Sequence, residues 1–321
     1  MVPSSSTDQP NNEPVNEPRS ATLRLLTVHA HPDDESSKGA STVAKYKAEG
    51  ARCVLVCCTG GELGDIANPA MDKPGVKENL PEIRREELAL ATAIIGFDDV
   101  VMLGYLDSGM KDSAGNDDPG SFHQADLDEA VGRLVAIIRR ERPQVILTYG
   151  DNQQGYPHPD HMKVHEISIP AFERAGKASW YPESGDPWQP SKLYYSTWSK
   201  ARAVATHERF LALGLESPYG AEWFDRPWQD HRITTRIDVA DHYNVRVNAL
   251  LAHATQIDPT SKFWFGLPHD EARTIYPFEE YILARSLVEG IRGEDLQPAP
   301  TAEEPPVIRE TDLFGGLRPI G

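Results

Sequence analysis

The sequence predicts an α/β chain built on a doubly wound, mostly parallel sheet with helices on both faces. Three observations predict it. Short β-rich apolar runs alternate with amphipathic stretches from residue 23 to residue 149. Those runs are continuously apolar rather than alternating, as expected of strands covered on both sides. The segments between them are long enough for helical crossovers, which parallel neighbours require.

The elements follow in order. Residues 23–30, "LRLLTVHA", read as the first strand. Residues 37–50 read as a helix, with Ala40, Val43, Ala44 and Lys47 at helical spacing and Gly50 as its stop. "RCVLVCCT" (52–59) is the second strand, followed by a long loop from Gly60 to about Leu80. Residues 81–96 form a helix opened by Pro81 and closed by Gly96, and 100–105 the third strand. The most regular helix spans 125–142, where Leu127, Ala130, Val131, Leu134, Val135 and Ile138 make one stripe. Pro143 stops it, and 144–149 is the fourth strand. Stretches 191–198, 232–238 and 245–257 are expected to pack on the same sheet. The layout is therefore one Rossmann-like domain over 21–290, with an α/β core at 23–175 and a C-terminal part at 176–290. Two tails flank it: 1–20, polar, proline-rich and expected to be disordered, and 291–321, expected to be mobile.

Composition narrows the function. With 39% hydrophobic and 25% charged residues in 321, the chain matches a globular protein with a sizeable core. Its 49 acidic and 32 basic side chains give a formal charge of −17, a field that repels nucleic acid and anionic lipid. No apolar run approaches a membrane span, and the N-terminus lacks a signal-peptide core, so the expected location is the cytoplasm. Cys53, Cys57 and Cys58 do not form a C-x-x-C pair and read as buried free thiols.

The chemistry concentrates in two stretches. "HAHPDDES" (29–36) follows the first strand and "YPHPDH" (156–161) lies just beyond the fourth. In open α/β sheets ligands bind outside the carboxyl ends of strands, so both stretches should converge on one rim. Crowded aspartates and histidines resist burial unless paired or bound to a cation. Two histidines and one aspartate match a catalytic zinc site, which has three protein ligands and a water. A spare carboxylate could then take the proton of the attacking water, and a spare histidine could protonate a leaving amine or steady an oxyanion.

These motifs, with "TGGELGDIANPAMD", "LDSGM", "KLYY", "LESP" and "LLAHATQID", resemble the PIG-L-type zinc de-N-acetylase family over about residues 23–290, and within it the mycothiol S-conjugate amidase branch. The resemblance implies His31, Asp34 and His161 as metal ligands for one Zn²⁺ per chain, although iron or another divalent ion suits the same donors. It implies Asp33 as general base, His158 as acid or oxyanion partner, Asp160 orienting His158, and Tyr156 as a phenol near the substrate carbonyl. His29 is read as lying deeper in support, and His165 as a non-ligand. Asp65, Arg84 and Asp107 are implied as contacts to a glucosaminyl-inositol moiety, and Lys38 as a contact to a cysteinyl one. "TGGELG" lacks the dinucleotide-loop pattern, and Glu62 and Asp65 would repel a pyrophosphate. Leu63, Gln153 and Gln154 depart from the branch pattern on loops beside the site.

The implied activity is hydrolysis of the amide in mycothiol S-conjugates, a detoxification step that releases a mercapturic acid and glucosaminyl-inositol. The alternatives are deacetylation of N-acetylglucosaminyl-inositol or an amidase step of natural-product biosynthesis. A non-catalytic sugar-binding protein would be expected to lack Asp33 or a ligand, and all are present. The expected partner is the small-molecule thiol conjugate, with no nucleic acid or membrane.

Overall fold

The computed structural model of the chain describes residues 22–153, 156–294 and 306–318. The segment 1–20 and Gln154 lie outside them. Strands β1 (Arg24–His29), β2 (Arg52–Thr59), β3 (Asp99–Tyr105) and β4 (Val145–Tyr149) fall where the apolar runs place them. The expected helix at 37–50 is the shorter α2 (Ala40–Ala48), preceded by a separate one-turn helix α1 (Asp34–Ser37), and Gly39 between them takes a φ of 108° as the N-cap of α2. Next come α3 (Leu80–Ile95) and α4 (Leu127–Glu141). Gly96 closes α3 in the left-handed conformation, as its position suggested. Helix α5 (Pro159–Ala175) carries the second motif on its first turn.

The C-terminal part adds β5 (Lys192–Thr197), β6 (Thr235–Asp238) and β7 (Phe278–Ser286), with α6 (Lys200–Ala212), α7 (Ala221–Phe224) and α8 (Tyr243–Ala252) between them. The sheet runs β3-β2-β1-β4-β5-β7-β6. Its first five strands are parallel, and β7 lies antiparallel between β5 and β6. Strand order reverses where β1 sits between β2 and β4. The crevice at their carboxyl ends is where a doubly wound sheet takes its ligand.

Each face of the sheet buries its own apolar layer. Leu26, Val28, Val54 and Val56 pack with Leu134 and Ile138 of α4 and Val164 of α5. Leu25 and Cys53 pack on the other side with Tyr46 of α2, Ile95 of α3 and Ala249 of α8. Cys57 and Cys58 point to opposite layers, as adjacent strand residues must. All three cysteines are free and buried. Burial pushes the Cys53 thiol up to about 12 and holds Cys57 and Cys58 well above the ordinary range. Ellman's reagent at pH 8 should therefore label none of them in the native protein and all three in denaturant. Rapid native labelling of any one would contradict the burial.

The end of the chain corrects an expectation. Residues 306–318 are not mobile but fastened to the domain. Leu313 and Phe314 are fully buried in the α2–α8 layer. Lys192, completely buried in β5, pairs with Glu310 and donates to the Gly315 carbonyl at 2.7 Å. Glu310 also accepts from the Tyr194 hydroxyl at 2.8 Å. Proline, glutamate and glycine made the segment look unstructured, yet its two buried apolar residues and its one buried acid have partners over a hundred positions away. Phe314→Ala should cost about 3–5 kcal/mol of folding stability. An unchanged denaturation midpoint would show the segment undocked.

Candidate metal centre

After β1 the chain turns through a strained residue. Asp33 has a φ of 116°, a left-handed conformation that costs a non-glycine residue roughly 1–3 kcal/mol. Its backbone N–H donates to Glu35 Oε2 at 2.9 Å, and its carboxylate accepts from Arg84 at 3.1 Å. Glu35 is in turn held by His253 of the α8 end, Nε2 to Oε1 at 2.6 Å, and both side chains are fully buried. Arg84 also donates to the carbonyls of Gly61 (2.8 Å) and Pro32 (2.5 Å). This bracing turns His31, Asp33 and Asp34 toward one side.

The second motif arrives on α5. His158 caps that helix, its Nδ1 accepting the Asp160 N–H at 3.2 Å. Pro159 takes the first helical position, where its missing N–H is harmless. Asp160 and His161 then project from the first turn.

The two segments meet. His31 Nδ1 and His161 Nε2 each lie 3.4 Å from the same oxygen, Asp34 Oδ2. Donor atoms of these three buried residues fall within 4.8 Å of one another. Two imidazoles and one carboxylate, converging and buried, fit a divalent ion with an open coordination position. A second buried group, His31, Asp107, His158 and Asp160, meets the same distance criterion on the other side of His31.

That second group corrects a role. Asp160 was expected to orient His158, but its Oδ2 lies 4.0 Å from His158 Nδ1 and 3.1 Å from His31 Nε2. The Ser108 backbone N–H (3.0 Å) and hydroxyl complete its bonding. Asp160 therefore backs His31, leaving Nδ1 toward Asp34 and His161, the carboxylate–histidine support typical of metal ligands. It is the Asp160 N–H that reaches His158, so the neutral His158 ring carries its proton on Nε2. Asp160→Asn should weaken metal affinity by about 10–100-fold. Lost turnover with unchanged affinity would return Asp160 to His158 alone.

Charge accumulates here. Burial opposes the His31 imidazolium, yet the carboxylates of Asp107, Asp160 and Asp34 outweigh it and raise its pKa well above the ordinary value. A ring that would otherwise hold a proton against three buried acids sits in a field suited to a divalent cation. Burial also works on Asp34, but the Lys38 charge and His161 hold its carboxyl well below the usual range. Burial raises Asp33 above that range, with the Arg84 charge pulling against it. Burial brings His161 down to about 4 and lowers His158 as well.

The cluster lies in a cavity of about 630 Å³. Asp33, Lys38, Asp65, Arg84, Asp107, Tyr156 and His158 all line it. Lys38 Nζ stands 2.5 Å from Asp34 Oδ1. Asp107 accepts the N–H groups of Leu63 (3.2 Å) and Gly109 (2.8 Å) and comes within 3.6 Å of His31. The Asp65 carboxylate is fully exposed, and Tyr156 is half-exposed, with its ring 6.2 Å from His158. His29 lies deeper, bonded to the Tyr149 hydroxyl at 3.2 Å, and His165 turns away to the Tyr149 carbonyl. Glu35, His253 and Ser108 received no role from the sequence. Glu35 stood inside the first motif, whereas nothing local signalled His253, 218 positions from its partner, or Ser108.

Comparison with known proteins places the chain in a family. The family model described as "PIG-L: GlcNAc-PI de-N-acetylase" matches residues 26–172. A mycothiol S-conjugate amidase of Streptomyces coelicolor is 44% identical, covering 92% of this chain and 98% of that protein. The chain belongs to the PIG-L family. A 1D-myo-inositol 2-acetamido-2-deoxy-alpha-D-glucopyranoside deacetylase of Streptomyces avermitilis is 39% identical over 92% of the chain and 98% of its own length. The fold matches the N,N'-diacetylchitobiose deacetylase of Pyrococcus horikoshii, with a TM-score of 0.56 at 17% identity over 81% of this chain and 83% of that one. The named relatives are an amidase and deacetylases, and this chain is an enzyme of the same family with buried residues that could hold a metal ion. Among the described residues no helix is long and apolar enough to cross a membrane.

Proposed function

We propose that the protein is a zinc-dependent amidohydrolase that cleaves mycothiol S-conjugates into a mercapturic acid and glucosaminyl-inositol. The chemistry is supported by the buried His31–Asp34–His161 cluster on the floor of a cavity, with Asp33 beside it. The substrate is supported by the 44% identity to the Streptomyces coelicolor amidase across nearly the whole chain.

His31, Asp34 and His161 hold the ion, which when bound supplies a Lewis acid that acidifies water and polarises an amide carbonyl. Asp33 takes the proton of the attacking water, a task suited to a carboxylate whose pKa burial has raised. The water oxygen bonds to the carbonyl carbon while the Nε2–H of His158 hydrogen-bonds the developing oxyanion, and the proton taken by Asp33 then passes to the departing nitrogen. The C–N bond breaks, leaving the N-acetylcysteine carboxylate and the free amine of the sugar. Arg84 and Glu35 keep Asp33 in its strained conformation throughout. Lys38, Asp65, Asp107 and Tyr156 face the same cavity and are the groups that would meet the substrate.

The 39% identity to the Streptomyces avermitilis deacetylase favours a second reading, removal of acetate from N-acetylglucosaminyl-inositol. Measuring kcat/KM for a mycothiol conjugate and for the acetylated aminosugar separates the two. The conjugate should win by at least tenfold. A preference for the acetylated sugar would make the second reading the correct one.

A further inference from the structure

The residues that line the cavity are of two kinds. Asp65, Arg84 and Asp107 are polar. Trp198, Trp223, Trp228, Phe263 and Trp264, each partly exposed, form an aromatic wall. All five come from the C-terminal part of the chain, beyond the 26–172 stretch matched by the family model.

These rings form one continuous surface. Trp198 stacks on Phe263 with centroids 5.7 Å apart and planes 6° apart, and Trp264 stands edge-on to both. Trp223 extends the surface from Phe263 at 5.3 Å and reaches Trp228 at 6.4 Å. The Arg226 guanidinium lies 3.5 Å over the Trp223 ring and stiffens that end. Large rigid rings that face a cavity leave apolar area in water until a ligand covers it. Indole and phenyl faces favour a planar aromatic partner, because each stacked or edge-on pair adds a few-fold to about tenfold in binding beyond the area it hides.

We infer that this wall is the subsite for the sulfur-linked substituent and that it selects planar aromatic groups over small alkyl ones. The inference rests on the amidase reading for its occupant. If Asp65, Arg84 and Asp107 take the aminosugar and the scissile amide lies at His31, Asp34 and His161, the aromatic wall is the part of the lining left for the group beyond the cysteinyl carbonyl. That group is the variable part of an S-conjugate.

The test uses the full chain and two N-acetylcysteine S-conjugates, S-naphthylmethyl and S-methyl, followed by tryptophan fluorescence. This measurement needs no turnover. The naphthylmethyl compound should quench saturably and bind at least tenfold more tightly. In Trp223→Ala that advantage should shrink about tenfold, whereas Trp223→Phe should keep most of it. The ratio of kcat/KM for the two full conjugates should fall in parallel. Equal binding of the two compounds would overturn the subsite, and so would a Trp223→Ala loss shared equally by both. If the aromatic preference holds but no conjugate is cleaved, the substrate reading fails and the subsite stands. If conjugates are cleaved with no preference and bind alike, the subsite fails and the amidase stands.

Discussion

Asp33→Asn should reduce kcat/KM by on the order of 10²–10⁴-fold, the range a positioned general base contributes, while the protein keeps its full equivalent of metal. The substitution preserves shape and the Arg84 contact on the remaining oxygen, so the strained turn at Asp33 survives. What it removes is the basic carboxylate. Asp33 stands beside the His31–Asp34–His161 group without being one of the three, so metal content should not follow the activity. Normal turnover would remove Asp33 from the reaction. Joint loss of metal and activity would mean that Asp33 is a ligand or that the turn has collapsed. His253→Ala offers a graded version of the same effect. It takes away the partner that fixes Glu35, and through Glu35 the Asp33 N–H, so kcat should fall with little change in KM.

His161→Ala should lose stoichiometric metal as well as turnover. A catalytic zinc site needs three protein ligands, and only His31 and Asp34 would remain. His165→Ala is the matched control. The two histidines are one helical turn apart on α5, but His161 Nε2 faces Asp34 Oδ2 whereas His165 Nδ1 bonds the Tyr149 carbonyl. The control should keep its metal. A His161→Ala protein that retains one equivalent, or a His165→Ala protein that loses it, would contradict the ligand set.

The metal cluster was legible in the sequence because its spacing is local. Four residues bring His31 and Asp34 onto one turn, and four bring His158 and His161 onto the start of one helix. The strand alternation then required both turns to share a rim. The same reasoning could not see which oxygen meets which nitrogen, so Asp160 was linked to its sequence neighbour His158 when its carboxylate in fact backs His31 across the crevice. Strand β7 escaped for another reason. It is buried on both faces and carries Glu279 and Glu280 inside the fold, so its apolar run is cut to the four residues Tyr281–Ala284 and shows no alternation. Those acids are satisfied from a distance, Glu279 by the Thr42 N–H and Glu280 by Arg236. Phe314 and Leu313 were hidden likewise, in a segment whose composition describes its flanks and not its two buried anchors.

The C-terminal part gives the shared site its individuality. Residues within 26–172 supply the candidate metal donors, Asp33 and His158, whereas the tryptophan-rich wall and His253 come from later in the chain.

Metal analysis of the purified protein, paired with hydrolysis of a fluorescent mycothiol conjugate before and after chelation, bears most directly on the hydrolytic centre. One equivalent of zinc, with cleavage that chelation abolishes and zinc restores, is the expected result. A protein that binds no divalent ion, or cleavage that persists after the ion is stripped, would contradict the assignment of His31, Asp34 and His161.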